Sequence, residues 1–156
     1  MPQFEEDARF PVRKSPRLRS FDYSSPNYYF ITVCTKDKKK LFWDNDCCNA
    51  FGSIAENAFA SISDHFPGVR VDKYVVMPNH IHAIIVLEEN CAALPVIVGQ
   101  YKSHVTRLIR RQSPALPVWQ DSFHDHVIRN QTGYEKIWRY IEENPAKWKD
   151  DCFYCE

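Results

Sequence analysis

The first half of the chain carries apolar patterns typical of strands and of one amphipathic helix. Residues 28–35 are rich in aromatic and β-branched side chains, which predicts a strand, and the lysines after them indicate a turn or hairpin. Over residues 47–62 apolar side chains recur at spacings of three and four, which predicts a helix that Pro67-Gly68 ends. The patterns of residues 69–76 and 80–87 predict two more strands, which we expect to pair as an antiparallel hairpin.

The second half continues this alternation of helix and strand. A helix is predicted over about residues 95–111, with apolar side chains on one side and basic ones largely on the other, and residues 118–128 indicate an extended segment. Thr132-Gly-Tyr-Glu135 has the spacing of a capping box and predicts the start of a third helix, which Pro145 should end. The order of elements predicts an α+β protein, with a ferredoxin-like βαββαβ antiparallel sheet and an added C-terminal helix.

Length and composition fit one compact domain. With 156 residues and 44% apolar composition, we expect a single domain over residues 28–150, preceded by an irregular basic arm at 1–27 and followed by a short tail at 151–156. The N-terminus lacks a signal-peptide core, and no apolar run approaches the roughly 20 residues that a membrane-spanning helix needs. The six cysteines form no regular framework. We therefore expect a soluble intracellular protein with free thiols and no membrane partner.

The formal net charge is zero, but the basic residues are clustered. An acid-free basic stretch near the N-terminus includes Arg17 and Arg19, and a second cluster comprises Lys36 and 38–40. The third cluster lies on the second predicted helix and contains Lys102, Arg107, Arg110 and Arg111. Three such clusters indicate one phosphate-binding face, although a solvated surface explains any single cluster equally well.

His80 and His82 are separated by one aliphatic residue at the start of the third predicted strand. Because residues i and i+2 point to the same face of a strand, both imidazoles would project together, which is the geometry of a metal site. Two neutral histidines hold a divalent ion weakly, so we expect a third ligand from elsewhere and open positions for a substrate oxygen. On spacing alone, an apolar strand that merely tolerates two histidines is an equally good interpretation.

The last predicted helix adds a tyrosine and an amide. Ile137, Trp138 and Ile141 define its expected buried stripe, and Tyr140 and Asn144 lie together at the border of that stripe. If this helix packs near the histidine strand, Asn144 can complete the metal site and the Tyr140 oxygen can approach a metal-bound phosphate. A phenol becomes a nucleophile when it is deprotonated, and a cation that polarises a phosphate lowers the barrier to in-line attack.

Other residues compete for these roles. Tyr134 and Tyr101 are chemical rivals of Tyr140, although both are expected nearer to apolar faces. His124 and His126 repeat the i, i+2 spacing and form a second possible pair, for which a surface or DNA-contacting role is the favoured interpretation. Two aromatic residues, Trp119 and Phe123, follow the basic helix. They could stack on bases or pack in the core, and both alternatives stay open.

Several motifs together carry a resemblance to a known family. They are Tyr74-Val-Val-Met-Pro-Asn-His-Ile-His82, Trp119-Gln120 with Phe123, His126 and Arg129, and Arg139-Tyr-Ile-Glu-Glu-Asn-Pro-Ala-Lys-Trp148. In this order and spacing they resemble the single-tyrosine HUH transposases, and among these most closely the REP-associated tyrosine transposases. The similarity extends from Arg17 to Trp148, including the arm with Arg17-Leu-Arg19 and Asp22-Tyr23-Ser24.

The resemblance implies a metal-dependent endonuclease and strand transferase that acts on single-stranded DNA. It implies a 5′-phosphotyrosine intermediate, a hairpin-bearing substrate, and Mg²⁺ or Mn²⁺ as the cofactor. Tyr140 matches the nucleophile, His80 and His82 match the HUH histidines, and Asn144 matches the metal ligand four residues after the tyrosine, where insertion-sequence relatives often carry glutamine.

The family pattern also bears on partners and leaves alternatives open. The expected nucleic-acid-binding residues are Arg17, Arg19, Lys102, Arg107, Arg110, Arg111 and Arg129. Relatives act as homodimers that exchange the tyrosine helix or as monomers, so both states remain open here. The expected location is the prokaryotic cytoplasm, with the nucleoid as the site of bound protein. A DNA-binding regulator that keeps the transposase fold without transposing is the alternative function.

Overall fold

The computed structural model describes residues 27–155, and the N-terminal arm with Arg17 and Arg19 lies outside this range. Its main element is a four-stranded, fully antiparallel sheet with the strand order β4-β5-β1-β6. The strands of this sheet are β1 (Asn27–Cys34), β4 (Val69–Met77), β5 (His80–Leu87) and β6 (His124–Ile128). A two-stranded hairpin of β2 (Trp43–Asp44) and β3 (Cys47–Cys48) stands apart from the sheet.

Three α-helices cover the sheet. They are α1 (Ala50–His65), α2 (Leu94–Ile109) and α3 (Gln131–Glu143), and short 3₁₀ segments span Lys36–Lys38 and Pro145–Asp150. The predicted α+β fold, with its antiparallel sheet and added C-terminal helix, is thereby confirmed. Within residues 27–155, the helices lack the combination of length and apolar character that crossing a bilayer requires.

Alternation along β5 divides the core into two layers. Ile81, Ala83 and Ile85 belong to the larger core, to which α1 and α2 contribute their apolar faces. The intervening residues, Ile84 and Val86, pack against α3 on the other face of the sheet, together with apolar side chains of α3 itself. Because side chains two residues apart share a face, the histidines at the start of β5 lie on the α3 side.

Helix starts differ from the predicted ones because of side-chain caps. Helix α1 begins at Ala50, where the Asn49 side chain accepts a hydrogen bond from the Gly52 amide at 2.9 Å. The first residues of the predicted helix form β3 instead. Helix α3 begins at Gln131, because the Asn130 side chain accepts from the Gly133 amide at 2.7 Å. The predicted capping box at Thr132 was therefore wrong, since an asparagine upstream supplies the N-cap.

The predictions for Trp138 and for the extended segment also need correction. Trp138 is 38% exposed rather than buried, and the Lys73 ammonium lies 4.0 Å from the centroid of its ring. The indole thus covers the rim of the sheet and contacts a cation, while Ile137 and Ile141 alone form the buried stripe. In residues 118–128, only β6 is a strand, and Trp119 makes a single isolated bridge to Thr35.

Two helical glycines allow a matched test of the packing beneath α1. A Cβ at Gly52 would overlap the Phe42 carbonyl oxygen and the Cys48 sulfur, whereas one at Gly99 would meet open space. We expect Gly52→Ala to lower the free energy of unfolding by about 1–3 kcal/mol through overpacking. Gly99→Ala should raise it by about 0.5–1 kcal/mol through the better helix propensity of alanine. Urea denaturation of both variants measures the difference, and stabilisation by both would contradict the close approach.

Candidate active site

The two imidazoles of β5 are buried and face each other. His80 and His82 are both 0% exposed, and their Nε2 atoms lie 3.1 Å apart. His80 Nδ1 lies 2.8 Å from the Asn79 side-chain oxygen, and His82 Nδ1 lies 2.8 Å from the Thr32 hydroxyl. Each ring is therefore held through Nδ1, which directs Nε2 towards a common point. Such outer hydrogen bonds are the usual way in which proteins orient metal-binding histidines.

The surroundings of Asn79 fix the protonation of His80. The Asn79 amide nitrogen donates to the carbonyl oxygens of Phe153, at 2.8 Å, and of Lys38, at 3.3 Å. Its side-chain oxygen is consequently the atom that faces His80, and a carbonyl oxygen only accepts hydrogen bonds. His80 Nδ1 must carry the proton, so Nε2 presents a lone pair.

Two oxygen-bearing side chains complete the centre. Asn144 ends α3, and Asp151 follows the 3₁₀ segment after it; both are buried. An Asp151 carboxylate oxygen lies 3.8 Å from His80 Nε2, and the ligand atoms of His80, His82 and Asp151 all lie within 4.8 Å of one another. The buried Asn144 Oδ1 and Asp151 Oδ2 have no hydrogen-bond donor within the described part of the chain.

These four side chains fit a divalent cation. Two imidazoles and two oxygens are buried together, and the two oxygens, Asn144 Oδ1 and Asp151 Oδ2, are acceptors without a donor, which is costly in a protein interior. Nitrogen and oxygen donors are suitable ligands for Mg²⁺, Mn²⁺ or Zn²⁺, so the donor set agrees with a metal centre without choosing the ion. Asp151 was missed in the sequence because no spacing motif connects it to the histidines.

Burial also sets the protonation states of this centre. It lowers the pKa of His82 to about 3 and that of His80 well below its usual value, with His82 contributing further to the latter. Both imidazoles are therefore neutral at physiological pH, which is the form that binds metal. Burial raises the pKa of Asp151 above its ordinary value.

Tyr140 is the tyrosine that reaches the histidine pair. Its hydroxyl oxygen lies 3.5 Å from His82 Nε2, and its ring packs edge-on against Phe30 with centroids 6.2 Å apart. Burial, and next the Asp151 carboxylate, raise the pKa of Tyr140 well above its usual value. The phenol is therefore neutral in the absence of a cation, and a positive charge beside it would favour the phenolate.

The rival residues lie elsewhere. The Tyr101 hydroxyl donates to the Ala55 carbonyl oxygen at 2.7 Å on the opposite face of the sheet, and the Tyr134 hydroxyl donates to Asp72 at 3.2 Å near the start of α3. His124 and His126 lie on β6, which is separated from β5 by β1. Neither belongs to the group of side chains within residues 27–155 that could hold a metal ion.

The expected tail of the protein covers the histidines. The Phe153 ring centroid is 4.5 Å from that of His80, and the Trp148 centroid is 6.1 Å away. Together with the hydrogen bond between Asn79 and the Phe153 carbonyl, these contacts attach the segment to the site. Residues 151–155 thus contribute Asp151 and Phe153 to the candidate centre.

The basic cluster on α2 does not share a face with this centre. Its members lie on the outer side of α2, across the sheet from α3, and Arg107, Arg110 and Arg111 line a shallow groove of about 550 Å³. Lys102 donates to the carbonyl oxygens of Gln120 and Ser122, at 2.7 and 3.0 Å, and so holds a loop. The cluster with Arg17 and Arg19 lies outside the described residues, so a single face for all three basic clusters stays a prediction. Nucleic-acid binding by these residues stays a prediction.

Trp119 and Phe123, the two candidates for stacking on bases, pack against other side chains of the protein. Phe123 is buried in the larger core. Trp119 packs against Phe42, with centroids 5.5 Å apart, and its indole nitrogen donates to the Lys102 carbonyl oxygen at 3.1 Å. Of the alternatives left open for these residues, core packing is the one that the geometry shows.

Comparisons with known proteins agree with this site. Residues 23–144 match the family model described as "Transposase IS200 like". An uncharacterised Haemophilus influenzae protein is 33% identical over 92% of this chain and 94% of its own length. A second H. influenzae protein, named as a REP-associated tyrosine transposase, is 26% identical over 81% of this chain and 74% of its own.

Solved structures show the same fold. The structure of a REP-associated tyrosine transposase bound to a REP hairpin aligns with a TM-score of 0.67 and 22% identity, over 85% of this chain and 73% of that one. A Deinococcus radiodurans R1 structure, described as that of a transposase, aligns with a TM-score of 0.55 and 19% identity, over 81% of this chain and 95% of that one.

The hydrogen bond between Thr32 and His82 provides a test of the metal centre. Thr32→Val keeps the shape of the side chain but removes the partner of His82 Nδ1, so we expect Mn²⁺ affinity to fall by about 10- to 100-fold. Isothermal titration calorimetry of the full chain measures the change. Thr132→Val, at an exposed position in the first turn of α3, is the matched control and should bind Mn²⁺ as the unmodified chain does. Equal affinities in all three proteins would contradict the assigned role of Thr32.

Proposed function

The chain belongs to the IS200-like transposase family, and on this premise we propose that it cleaves and rejoins single-stranded DNA through Tyr140. The proposed activity is that of a metal-dependent endonuclease and strand transferase with a 5′-phosphotyrosine intermediate. One observation supports it above all others. The Tyr140 hydroxyl lies 3.5 Å from Nε2 of His82, a member of a buried group in which the ligand atoms of His80, His82 and Asp151 lie within 4.8 Å of one another.

His80 and His82 would hold the cation through Nε2, with oxygens from Asn144 and Asp151 as the further ligands. Thr32 and Asn79 would keep the imidazoles in place through Nδ1. When bound, Mg²⁺ or Mn²⁺ would polarise the scissile phosphate and offset the negative charge of Asp151, which otherwise disfavours the Tyr140 phenolate.

The proposed cleavage is an in-line displacement at phosphorus. The Tyr140 oxygen forms a bond to the phosphorus as the bond to the 3′-oxygen breaks, and the leaving oxygen takes up a proton to become a free 3′-hydroxyl. The 5′ end remains attached to Tyr140 as a phosphodiester. A later attack by a 3′-hydroxyl on this phosphodiester would release the tyrosine and reseal a strand without ATP, because the number of phosphodiester bonds is conserved.

The proposed substrate is single-stranded DNA with a hairpin. A structurally similar REP-associated tyrosine transposase is bound to a REP hairpin, and we extend that class of ligand to this chain. Tyr140 reaches His82 of its own chain, so we propose that a monomer can assemble the site in cis. Activity on DNA would bring the protein to the nucleoid of a prokaryotic cytoplasm.

A DNA-binding regulator is the second candidate. The observation that favours it is the burial of both histidines beneath the Phe153 and Trp148 rings, which leaves DNA no direct access to them. A protein with a permanently covered site would bind hairpins without cutting them.

Cleavage of a labelled hairpin-bearing strand in the presence of Mn²⁺ distinguishes the two candidates. Denaturing electrophoresis should show a covalent protein–DNA band, and Tyr140→Phe should reduce its yield at least about a thousandfold because the attacking oxygen is absent. His82→Ala or a chelator should also abolish the band. Tyr74→Phe, which removes a hydroxyl on the opposite face of the sheet, should retain it.

Two results would count against the proposed chemistry. An adduct that still forms in Tyr140→Phe would show that Tyr140 is not the nucleophile. Hairpin binding by a folded protein that yields no adduct, over a range of hairpins and with Mn²⁺ or Mg²⁺, would favour the regulator.

A further inference from the structure

A second groove, of about 810 Å³, lies beside the start of α3. Its lining combines aromatic, cationic and acidic side chains, contributed by β1, β4, the end of β5 and the turn between β6 and α3. The residues that matter here are Tyr28, Arg70, Asp72, Arg129 and Tyr134.

The groove and Tyr140 share one face of the sheet. Tyr28 pairs with Val86 and with Ile128, which both belong to the apolar layer under α3. Cys34, six residues further along β1, pairs with His80. At roughly 3.3 Å per residue, the groove lies about 20 Å from the histidines along the sheet. Helix α3 spans this interval, with its first turn at the groove and Tyr140 near its last.

Tyr28 provides a fixed aromatic surface in the groove. Its side chain is 37% exposed, and its ring meets Tyr134 edge-on with centroids 5.6 Å apart. The Arg70 guanidinium donates to the Tyr28 hydroxyl at 3.2 Å and to Asp72 at 2.9 Å. Asp72 also accepts from the Tyr134 hydroxyl at 3.2 Å. The ring is thus oriented by a network before any ligand arrives, and exposed aromatic rings of this kind stack with unpaired bases.

Charge in the groove is divided between its two sides. Arg129 is exposed, and no acidic side chain within residues 27–155 forms an ion pair with it. Glu88 and Glu89 follow β5, on the other side of β1, where Arg70 is already paired with Asp72 at 2.9 Å and with Glu88 at 3.7 Å. A phosphate would therefore bind on the Arg129 side of Tyr28, where arginine can contact two of its oxygens.

From this arrangement we propose that the groove binds one unpaired nucleotide of the DNA strand, with its base on the Tyr28 ring and its phosphate at Arg129. This inference rests on the proposed function, because it requires a single-stranded substrate. It adds a subsite at a distance from the metal centre, which would hold the unpaired flank of a hairpin along α3 while Tyr140 acts.

Two hairpin oligonucleotides, with and without an unpaired flank, test the subsite in a direct binding assay with the full chain. Tyr28→Ala and Arg129→Gln should weaken binding of the flanked hairpin by about tenfold or more and leave the hairpin without a flank unaffected. Arg129→Gln should also reduce the salt dependence of binding to the flanked hairpin. Tyr74→Ala is the matched control, because Tyr74 is 39% exposed but packs against Phe59 on the opposite face.

Photocrosslinking identifies the contact itself. With 5-iododeoxyuridine at successive flank positions, one position should crosslink to the peptide that contains Tyr28. Unchanged affinity of both folded variants for the flanked hairpin, or crosslinks confined to other peptides, would overturn the subsite. If the Tyr140-dependent adduct still forms in that case, the proposed function stands. A chain that binds neither oligonucleotide and forms no adduct would contradict both proposals.

Discussion

Alternation of side chains along β5 is the constraint on which the site depends. One row of this strand packs against α1 and α2, and the other row turns towards α3. The second row begins with His80 and His82 and continues as Ile84 and Val86, so the apolar contacts that dock α3 also set its position relative to the imidazoles. A shift of one residue in the pairing of β5 would move both histidines into the other layer. Core packing and the candidate chemistry therefore depend on the same register.

The candidate centre buries polar atoms that would ordinarily be hydrogen-bonded or exposed to water. Acceptor atoms of His80, His82, Asn144 and Asp151 are buried together, although each would be better solvated outside. The neighbouring polar side chains are hydrogen-bonded. Both the nitrogen and the oxygen of the Asn79 amide have partners, and the Thr32 hydroxyl is hydrogen-bonded to His82 Nδ1. Two oxygens without a donor, beside two imidazoles that are held through Nδ1, are suited to a cation site, because the ion supplies the missing positive charge. The same charge would lower the pKa of Tyr140.

Local patterns could be predicted from the sequence, and contacts between distant segments could not. The i, i+2 histidines and the i, i+4 pair of Tyr140 and Asn144 follow from the periods of strand and helix, and the structure brings them together as expected. Asp151 and Thr32 have no such spacing, because their places depend on how the C-terminal segment and β1 pack against β5. Trp138 was misplaced for a related reason: helical periodicity groups it with Ile137 and Ile141, whereas its contact with Lys73 on β4 joins segments that are distant in the sequence.

The most direct test of the metal centre is pulsed electron paramagnetic resonance of Mn²⁺ bound to the full chain, with histidine labelled by ¹⁵N. Coordination by His80 and His82 predicts couplings from two histidine nitrogens, which change with the label, and one of them should disappear in His82→Ala. Mn²⁺ that binds without any coupling to histidine nitrogen would contradict a metal centre at the start of β5. It would also contradict the proposal that a cation there makes Tyr140 a nucleophile.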